Sequence, residues 1–546
     1  MQAGIRLYKC ENTVDVLESP LVQNMGQLGY EHGLKYGSCH YYVDRKRDNE
    51  KMTVETTTKD PIFNRIYGVS FSTKELRKNY VVYLASLAKI NHRAISRTQD
   101  LFLVHKTSPG SPIFLPAGTR LFNRLVQLMR SKYEEYEFQE IITPLMFNKE
   151  LWETSGHWEN YKNDMYAVVD ANPNDTAGPA VPEVGLKPMN CPSHCLVYKS
   201  APKSANDLPL RYADFTALHR NEPSGTLVGL TRVRKFHQDD GHIFCSFDDI
   251  GKEISKQLQM IAEVYSILRF DNYSLSLSTR PEKHIGTSDT WDRAESLLKT
   301  ALDTSGIAYD IKHGDGAFYG PKIDIDVRDA YGRRHQTATI QLDFQLPERF
   351  NLYYSNADGS AKSRPVIIHR AVLGSLERMM ALLIEYYEGR WPFWISPRQA
   401  IVIPTIDDST SVKDKGIILE YADTVKRLLS GGSNSVKYLD RLYPATNTGV
   451  NSNISSQPNQ NNPDTTSIRM KNYSFHVDFE KNYHQPTYKI KNRAKELNYN
   501  YHITVGLDNA QNKTINVKNY IENKNLGTIQ IKDLQQEFMN KMDHYK

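Results

Sequence analysis

Residues Arg211 to Cys245 read RYADFTALHRNEPSGTLVGLTRVRKFHQDDGHIFC. They hold four arginines, a glutamate two residues after one of them, a Pro223-Ser224-Gly225 turn, and an ending of two acids, glycine and histidine. Side chains on a strand alternate with period two, so the pattern predicts Arg220 and Glu222 on one side of an extended segment. A guanidinium beside a carboxylate suits a ligand that offers both a phosphate and a hydrogen-bond donor, such as ATP with its amine. The turn and the alternating Thr231-Arg232-Val233-Arg234 predict an antiparallel return. Taken alone, the residues fit two readings, a polyanion site or an exposed hairpin edge studded with charges.

Around this stretch, composition sets limits. With 546 residues, 39% of them hydrophobic, the chain is long enough for about three domains of roughly 100 to 200 residues each. A net charge of +5 is mild, so any nucleic-acid surface has to be local. The 5 cysteines are unevenly spaced, which argues against a disulfide framework and for a reducing compartment. No apolar run is long enough to suggest a membrane span. The N-terminal MQAGIRLYKCEN has no basic region leading into an apolar core.

Periodicity places the elements. A helix is expected near Thr73 to Ile95, and Leu121, Leu125 and Leu128 mark an amphipathic helix. Ile250, Ile254, Leu258, Ile261, Tyr265 and Leu268 recur at helical spacing before Tyr273 to Leu277 alternates as a strand. Helices mixed with antiparallel-type strands predict an α+β architecture. A doubly wound parallel fold is disfavoured, because no glycine-rich loop leads from a strand into a helix. Ile401-Val402-Ile403-Pro404 reads as a buried strand and Gly416 to Leu429 as a helix. Between residues 431 and 466 a polar run containing Gln457-Pro458-Asn459-Gln460-Asn461-Asn462-Pro463 reads as a mobile insertion.

Six ordered segments carry a resemblance. His219-Arg220-Asn221-Glu222-Pro223-Ser224-Gly225 resembles motif 2 of class II aminoacyl-tRNA synthetases, Tyr136 to Pro144 resembles motif 1, and Gly374-Ser375-Leu376-Glu377-Arg378 resembles motif 3. Lys187-Pro188-Met189-Asn190-Cys191-Pro192, Gly316 to Lys322 and Gln341-Leu342-Asp343-Phe344 are similar to segments of the threonyl-tRNA synthetases. The resemblance covers nearly the whole chain. It implies a class II antiparallel sheet flanked by helices, followed by an α/β anticodon-binding domain. The implied domains are a remnant of the editing domain with a linker over 1–110, a catalytic domain over 111–394, and the anticodon-binding domain over 395–546.

Cys191, His242 and His369 lie far apart, with none of the spacing that announces zinc, and a lone cysteine or histidine is more often packing. The resemblance makes these three the ligands of one Zn2+ per subunit. His194, Cys195 and Cys245 are read as structural, and His219 likewise, because alternation turns it to the face opposite Arg220. The family usually has another residue at His237, which argues against a ligand role there. The resemblance further implies Asp240, Gln238, Tyr319, Gln341 and Met189 around L-threonine. ATP falls to Arg220, Glu222, Arg232, Gln336, Thr339, Ser375 and Arg378, with Mg2+ accompanying it. Arg220, Arg378 and Lys322 are the implied catalytic cations. Lys489, Lys491 and Lys518 are candidate contacts to tRNA(Thr). A homodimer formed through motif 1 and a cytoplasmic setting complete the expectation.

Three departures stand out. The family's editing pattern Asp-x-Cys-x-x-x-His reads here Asp15-Val16-Leu17-Glu18-Ser19-Pro20-Leu21, so no proofreading is expected of this chain. Thr337 stands where the family commonly has cysteine, a nearly isosteric change. Val517-Lys518-Asn519-Tyr520 replaces the family's final arginine with a tyrosine that could stack on a base. The competing readings are a synthetase-like RNA-binding or regulatory protein without catalysis, and a ligase for another small amino acid such as serine or proline.

Overall fold

A computed structural model describes residues 7–10, 13–16, 30–40, 62–71, 73–168, 184–271, 273–317, 319–356, 361–431, 473–483 and 485–546. Most of the expected insertion and residues Leu17 and Leu21 of the editing pattern lie outside them; Asp15 lies in the strand Thr13–Val16. The chain divides into two compact units, Met1–Lys89 and Ile90–Lys546.

In the first unit, Leu7–Cys10 pairs antiparallel with Thr13–Val16, and Tyr30–His40 with Ile62–Phe71, ahead of the helix Lys74–Ile90. The single helix expected over Thr73 to Ile95 is in fact two. Asn91 ends the first and caps His92–Gln99, its side chain accepting from the Arg93 amide. An asparagine at this position competes with the helical backbone and favours a new start.

The second unit is organised by an eight-stranded sheet. Its order from one edge is Tyr309–Lys312, Tyr273–Ser278, Lys322–Arg328, Arg334–Asp343, Val366–Ala371, Asp240–Cys245, Leu210–Asp214 and Gln139–Glu140. The five inner pairings are antiparallel, and only the two outermost are parallel. The α+β expectation therefore holds, with parallel pairs confined to the edges.

Period two sorts the side chains of this sheet cleanly. Ile243, Cys245, Ile368, Ile340, Leu342, Ile323, Ile325, Leu275 and Leu277 point to one face and join one apolar core. That core is closed by the helices Pro116–Glu135, Ile250–Ile267, Ser288–Ser305 and Leu376–Tyr386, whose Leu121, Leu125, Ile254, Ile261, Leu298 and Met380 are fully or almost fully buried. The alternate residues form the opposite, polar face, over one part of which the helix Cys191–Lys199 lies.

A second, five-stranded sheet follows in the order Val477–Phe479, Ala400–Pro404, Tyr501–Val505, Thr514–Asn519, Lys524–Gln530. The first three strands are parallel and the last two join antiparallel. Ala400 and Val402 pack toward Val412–Ser430 and Ile531–Asp543, while Ile401 and Ile403 pack toward Thr487–Glu496. Burial on both faces explains the unbroken apolar run at 400–403. The helix begins at Val412 rather than Gly416, because Ser411 caps it by accepting from the Asp414 amide. Arg120 and Arg124 of Pro116–Glu135 donate to the carbonyls of Pro397 and Ser474, tying the two sheets' layers together.

Candidate functional site

The polar face of the large sheet gathers the expected metal ligands from three elements. His242 and His369 are direct register partners on adjacent antiparallel strands, and Gln341 is the next residue in the same row. Cys191 opens the helix laid across that row. Donor atoms of Cys191, His242 and His369 all lie within 4.8 Å of one another, and His242 Nε2 is 2.9 Å from His369 Nδ1. His369 Nε2 donates to Asp343 Oδ2 at 2.9 Å, which leaves its Nδ1 lone pair bare. Asp343 is itself fixed, its other oxygen accepting from the Gln345 and Leu346 amides.

The donor set fits a divalent cation. Burial pushes the Cys191 thiol well above its ordinary range and His242 well below its own, so the pocket itself favours neutral groups. A soft sulfur with two neutral imidazoles is the chemistry that selects zinc, and three protein ligands leave a coordination position for a substrate.

Adjacent acids are divided between the two faces. Asp239 points toward the core, where it accepts from the Val372 and Leu373 amides and pairs with Arg370 at 3.2 Å. Arg370 lies over Phe138 and Tyr133, and Gly241 leaves the room its guanidinium needs. Asp240 points the other way, toward the histidines. Its Oδ2 accepts from Asn190 Nδ2 at 3.1 Å and its Oδ1 is 4.0 Å from His242 Nε2.

A cavity of about 630 Å³ opens on this face. Met189, Cys191, Arg220, Gln238, Asp240, His242, Tyr319, Lys322, Gln336, Thr339, Gln341 and His369 all line it. Within it Tyr319 Oη donates to Gln341 Oε1 at 3.1 Å. Thus residues spread over nearly two hundred positions of sequence converge, which sequence spacing could not display.

Arg220 lines this cavity and Arg232 and Arg378 cluster with it, with two corrections to the strand expectation. The hairpin pairs Ala217–His219 with Lys235–His237, so Arg220 and Glu222 fall beyond its strand, and the Glu222 amide bonds back to the Arg220 carbonyl. The returning strand likewise begins at Lys235, not Thr231, since 228–232 forms a turn closed by Val228 and Arg232. Arg220 packs over Phe236, with ring centroid 5.0 Å away. Arg378 donates to the carbonyls of Thr231 and Gln336 at 3.1 and 2.9 Å. Burial first, then the charges of Arg220 and Arg232, lower its pKa. Three cations this close are suited to a polyanion. Glu222 and Arg232 hold each other at 2.8 Å. Ser375 caps the helix Leu376–Tyr386 by accepting from the Arg378 amide, a local task beside any ligand contact.

The family profile of the "tRNA synthetase class II core domain (G, H, P, S and T)" matches residues 179–387. The chain is 44% identical to "Probable threonine--tRNA ligase, mitochondrial" of Schizosaccharomyces pombe, over 84% of this chain and 90% of that one. This chain belongs to the threonyl-tRNA synthetase family. It is 45% identical to "Threonine--tRNA ligase, cytoplasmic" of Saccharomyces cerevisiae, over 78% of this chain and 54% of the relative. The chain spans about half the length of several curated relatives it matches. A crystal structure of the RNA binding domain of the threonyl-tRNA synthetase from Cryptosporidium parvum superposes with a TM-score of 0.68 at 39% identity, covering 83% of this chain and 98% of that one.

Beyond the family pattern, the structure supplies partners to which the motifs alone assigned no role. Asp324 is 2% exposed and central: it accepts from Gln336 and Thr339 and pairs with Lys322 at 2.7 Å. Its place in the alternating Ile323-Asp324-Ile325 was the available signal, an acid between two core residues. Asn190 and Asp343 are positioned as described above, and His157 approaches Met189 Sδ at 3.1 Å. Thr337, standing for the family's cysteine, bonds Tyr265 Oη at 2.6 Å and the Ile325 carbonyl at 3.3 Å, so its hydroxyl is satisfied. His237 is held by Glu377 at 2.9 Å, apart from the metal donors.

In the five-stranded sheet, Lys518 places its ammonium 4.8 Å over the Tyr520 ring, whose centroid lies 3.9 Å from that of His502 with the rings tilted by 33°. Lys491 and Lys518 both act on His502 electrostatically. Lys489 is exposed on the helix Thr487–Glu496.

Proposed function

We propose that this chain ligates L-threonine to tRNA(Thr) through a threonyl-adenylate. The observation that carries the reading is the convergence of Cys191, His242 and His369 on the sheet face that also bears Asp240, beside the cluster of Arg220, Arg232 and Arg378.

In this reading Cys191, His242 and His369 hold zinc, with Asp343 fixing His369. When bound, the metal supplies a Lewis-acid position for the amine and hydroxyl of threonine. Asp240, held by Asn190, accepts from the threonine hydroxyl, while Gln238, Tyr319, Gln341 and Met189 enclose the amino acid. Valine, with a methyl in that place, would leave these polar partners unpaired, which is a discrimination of about 10⁴ to 10⁵. Serine keeps the hydroxyl and loses one methyl, worth only about 1 to 3 kcal/mol.

ATP enters with Mg2+ along the arginines. Glu222 reads the adenine amine, Arg220 holds the α-phosphate, and Arg232 and Arg378 hold the distal phosphates. Gln336, Thr339 and Ser375 border the nucleotide, and Lys322, steadied by Asp324, faces the reacting groups. The threonine carboxylate attacks the α-phosphorus in line, the bond to the bridging oxygen breaks, and pyrophosphate leaves. Fixed cations stabilise the charge that develops on the phosphates.

Residues 395–546 serve as the anticodon-binding domain, with Lys489, Lys491 and Lys518 on phosphates and Tyr520 against a base. A homodimer is inferred through motif 1: Gln139–Glu140 is an edge strand, and Ile142 just beyond it is 86% exposed. Among the described residues no helix is long and apolar enough to cross a membrane. A cytoplasmic setting suits Cys191, Cys195 and Cys245, which among the described residues form no disulfide, and the relatives carry both cytoplasmic and mitochondrial names.

Amino-acid-dependent pyrophosphate exchange tests the reading. Exchange is expected with threonine, weaker exchange with serine, and none with valine. Exchange driven by another amino acid but not by threonine would transfer the substrate assignment, and a complete absence would favour the non-catalytic reading.

A further inference from the structure

We infer that His194 and Asp214, which lie outside the metal donor set, form a relay that holds His242 in the tautomer that can bind the metal. The inference rests on the zinc reading above. His242 Nδ1 lies 2.9 Å from His194 Nδ1, with the rings at 83° and their centroids 4.6 Å apart. One of these two nitrogens must donate and the other accept.

Asp214 decides which. His194 Nε2 lies 3.7 Å from Asp214 Oδ2, beyond hydrogen-bond reach and without another partner, so the carboxylate acts on it through its charge; both side chains are fully buried. Burial opposes the charge on Asp214, but His194, Lys187, Thr143 and Thr216 together hold its carboxyl well below the usual range. Thr216 donates from its amide and hydroxyl and Thr143 from its hydroxyl, each at 2.6 Å, and the Lys187 ammonium stands 3.6 Å away. Facing this carboxylate, His194 keeps its proton on Nε2 and offers the Nδ1 lone pair. His242 then donates from Nδ1, and its Nε2 is bare. That bare nitrogen faces His369 Nδ1, freed in the same sense by Asp343. Two lone pairs 2.9 Å apart repel unless a cation stands against both.

The sequence builds this locally. Cys191 and His194 are three residues apart on one helix, so both side chains reach the same sheet row. Asp214 is the register partner of Asp240, as Tyr212 is of His242. A histidine buried only for packing would gain nothing from a buried carboxylate that itself needs a lysine and two threonines. His194 is therefore a positioning residue rather than a ligand.

The experiment compares His194→Asn with His194→Gln in the full chain. Asparagine can set an acceptor where Nδ1 stood, whereas glutamine reaches the Nε2 place and leaves the other empty. Zinc content by atomic spectroscopy and zinc affinity by chelator competition are measured, with melting curves of each chain to report folding. His194→Asn is expected to bind zinc within about threefold of the natural chain, and His194→Gln about 10- to 100-fold more weakly. In exchange assays His194→Gln should raise the KM for threonine more than it lowers kcat. Should His194→Gln not fold, Asp214→Asn is measured in its stead, with the same expected loss, because it removes the charge that holds the proton on Nε2. Equal zinc affinity in the natural chain and His194→Gln, or equal losses in both His194 variants, would overturn the relay alone. A natural chain that holds no zinc would overturn the zinc reading and the relay with it.

Discussion

His242 and His369 face each other from paired positions on neighbouring antiparallel strands, their Nε2 and Nδ1 atoms 2.9 Å apart. Register fixes this pair, because a slip of one residue on either strand would turn one ring into the apolar core.

Cys191→Ala or His242→Ala is expected to release zinc and abolish threonine-dependent exchange, since two donors cannot close the site. Dialysis against a strong chelator should do the same to the natural chain, with activity returning on added zinc. Atomic spectroscopy showing unchanged metal in both variants would remove the metal role.

Arg378 spans two carbonyls with separate guanidinium nitrogens, a geometry that the single ammonium of lysine cannot reproduce. Arg378→Lys should therefore lower kcat for exchange by roughly 100-fold or more while the protein remains folded. Steady-state exchange against ATP concentration measures it, and near-normal kcat would show that charge alone suffices.

Gly374 has φ +65°, and a Cβ there would stand 2.3 Å from the Thr337 carbonyl oxygen. Gly374→Ala is expected to cost about 2 kcal/mol or more through strain and clash. A thermal melt lowered by several degrees checks this, whereas an unshifted melt would mean that the backbone yields freely.

His502 is 2% exposed, and burial first, with the charges of Lys491 and Lys518 and against a contact to the Ala494 backbone that raises it, brings its pKa down to about 4. The unfolded chain then binds the proton more readily than the folded one. Stability contributed by the neutral ring is complete above pH ~6.5 and is lost as pH falls toward 4, by up to ~3 kcal/mol. Denaturant unfolding of the five-stranded region should show this acid loss, and His502→Leu should flatten it. An equally steep loss in that variant would assign the effect to other groups.

Much of the fold was legible because its signals are local. Ile250 to Leu268 repeats at 3.6 and forms a helix, and Tyr273 to Leu277 alternates and forms a strand. Local signals failed where a side chain intervened: Asn91 divided one expected helix, Ser411 started another early, and the backbone turn at Arg220 to Glu222 ended a strand before its expected alternation. The site was legible only through motif resemblance, and even that gave no role to Asp324, Asp343 or Asp214.

The sequence by itself determined the alternation that sends Asp239 and Asp240, or His369 and Arg370, to opposite faces, because a strand's period is a property of its backbone. It could not say which member of each pair meets the core and which the cavity. Only the tertiary structure decided that, since the choice depends on strands paired across more than a hundred residues, and on a helix laying Cys191 over the row where His242 and His369 already face each other.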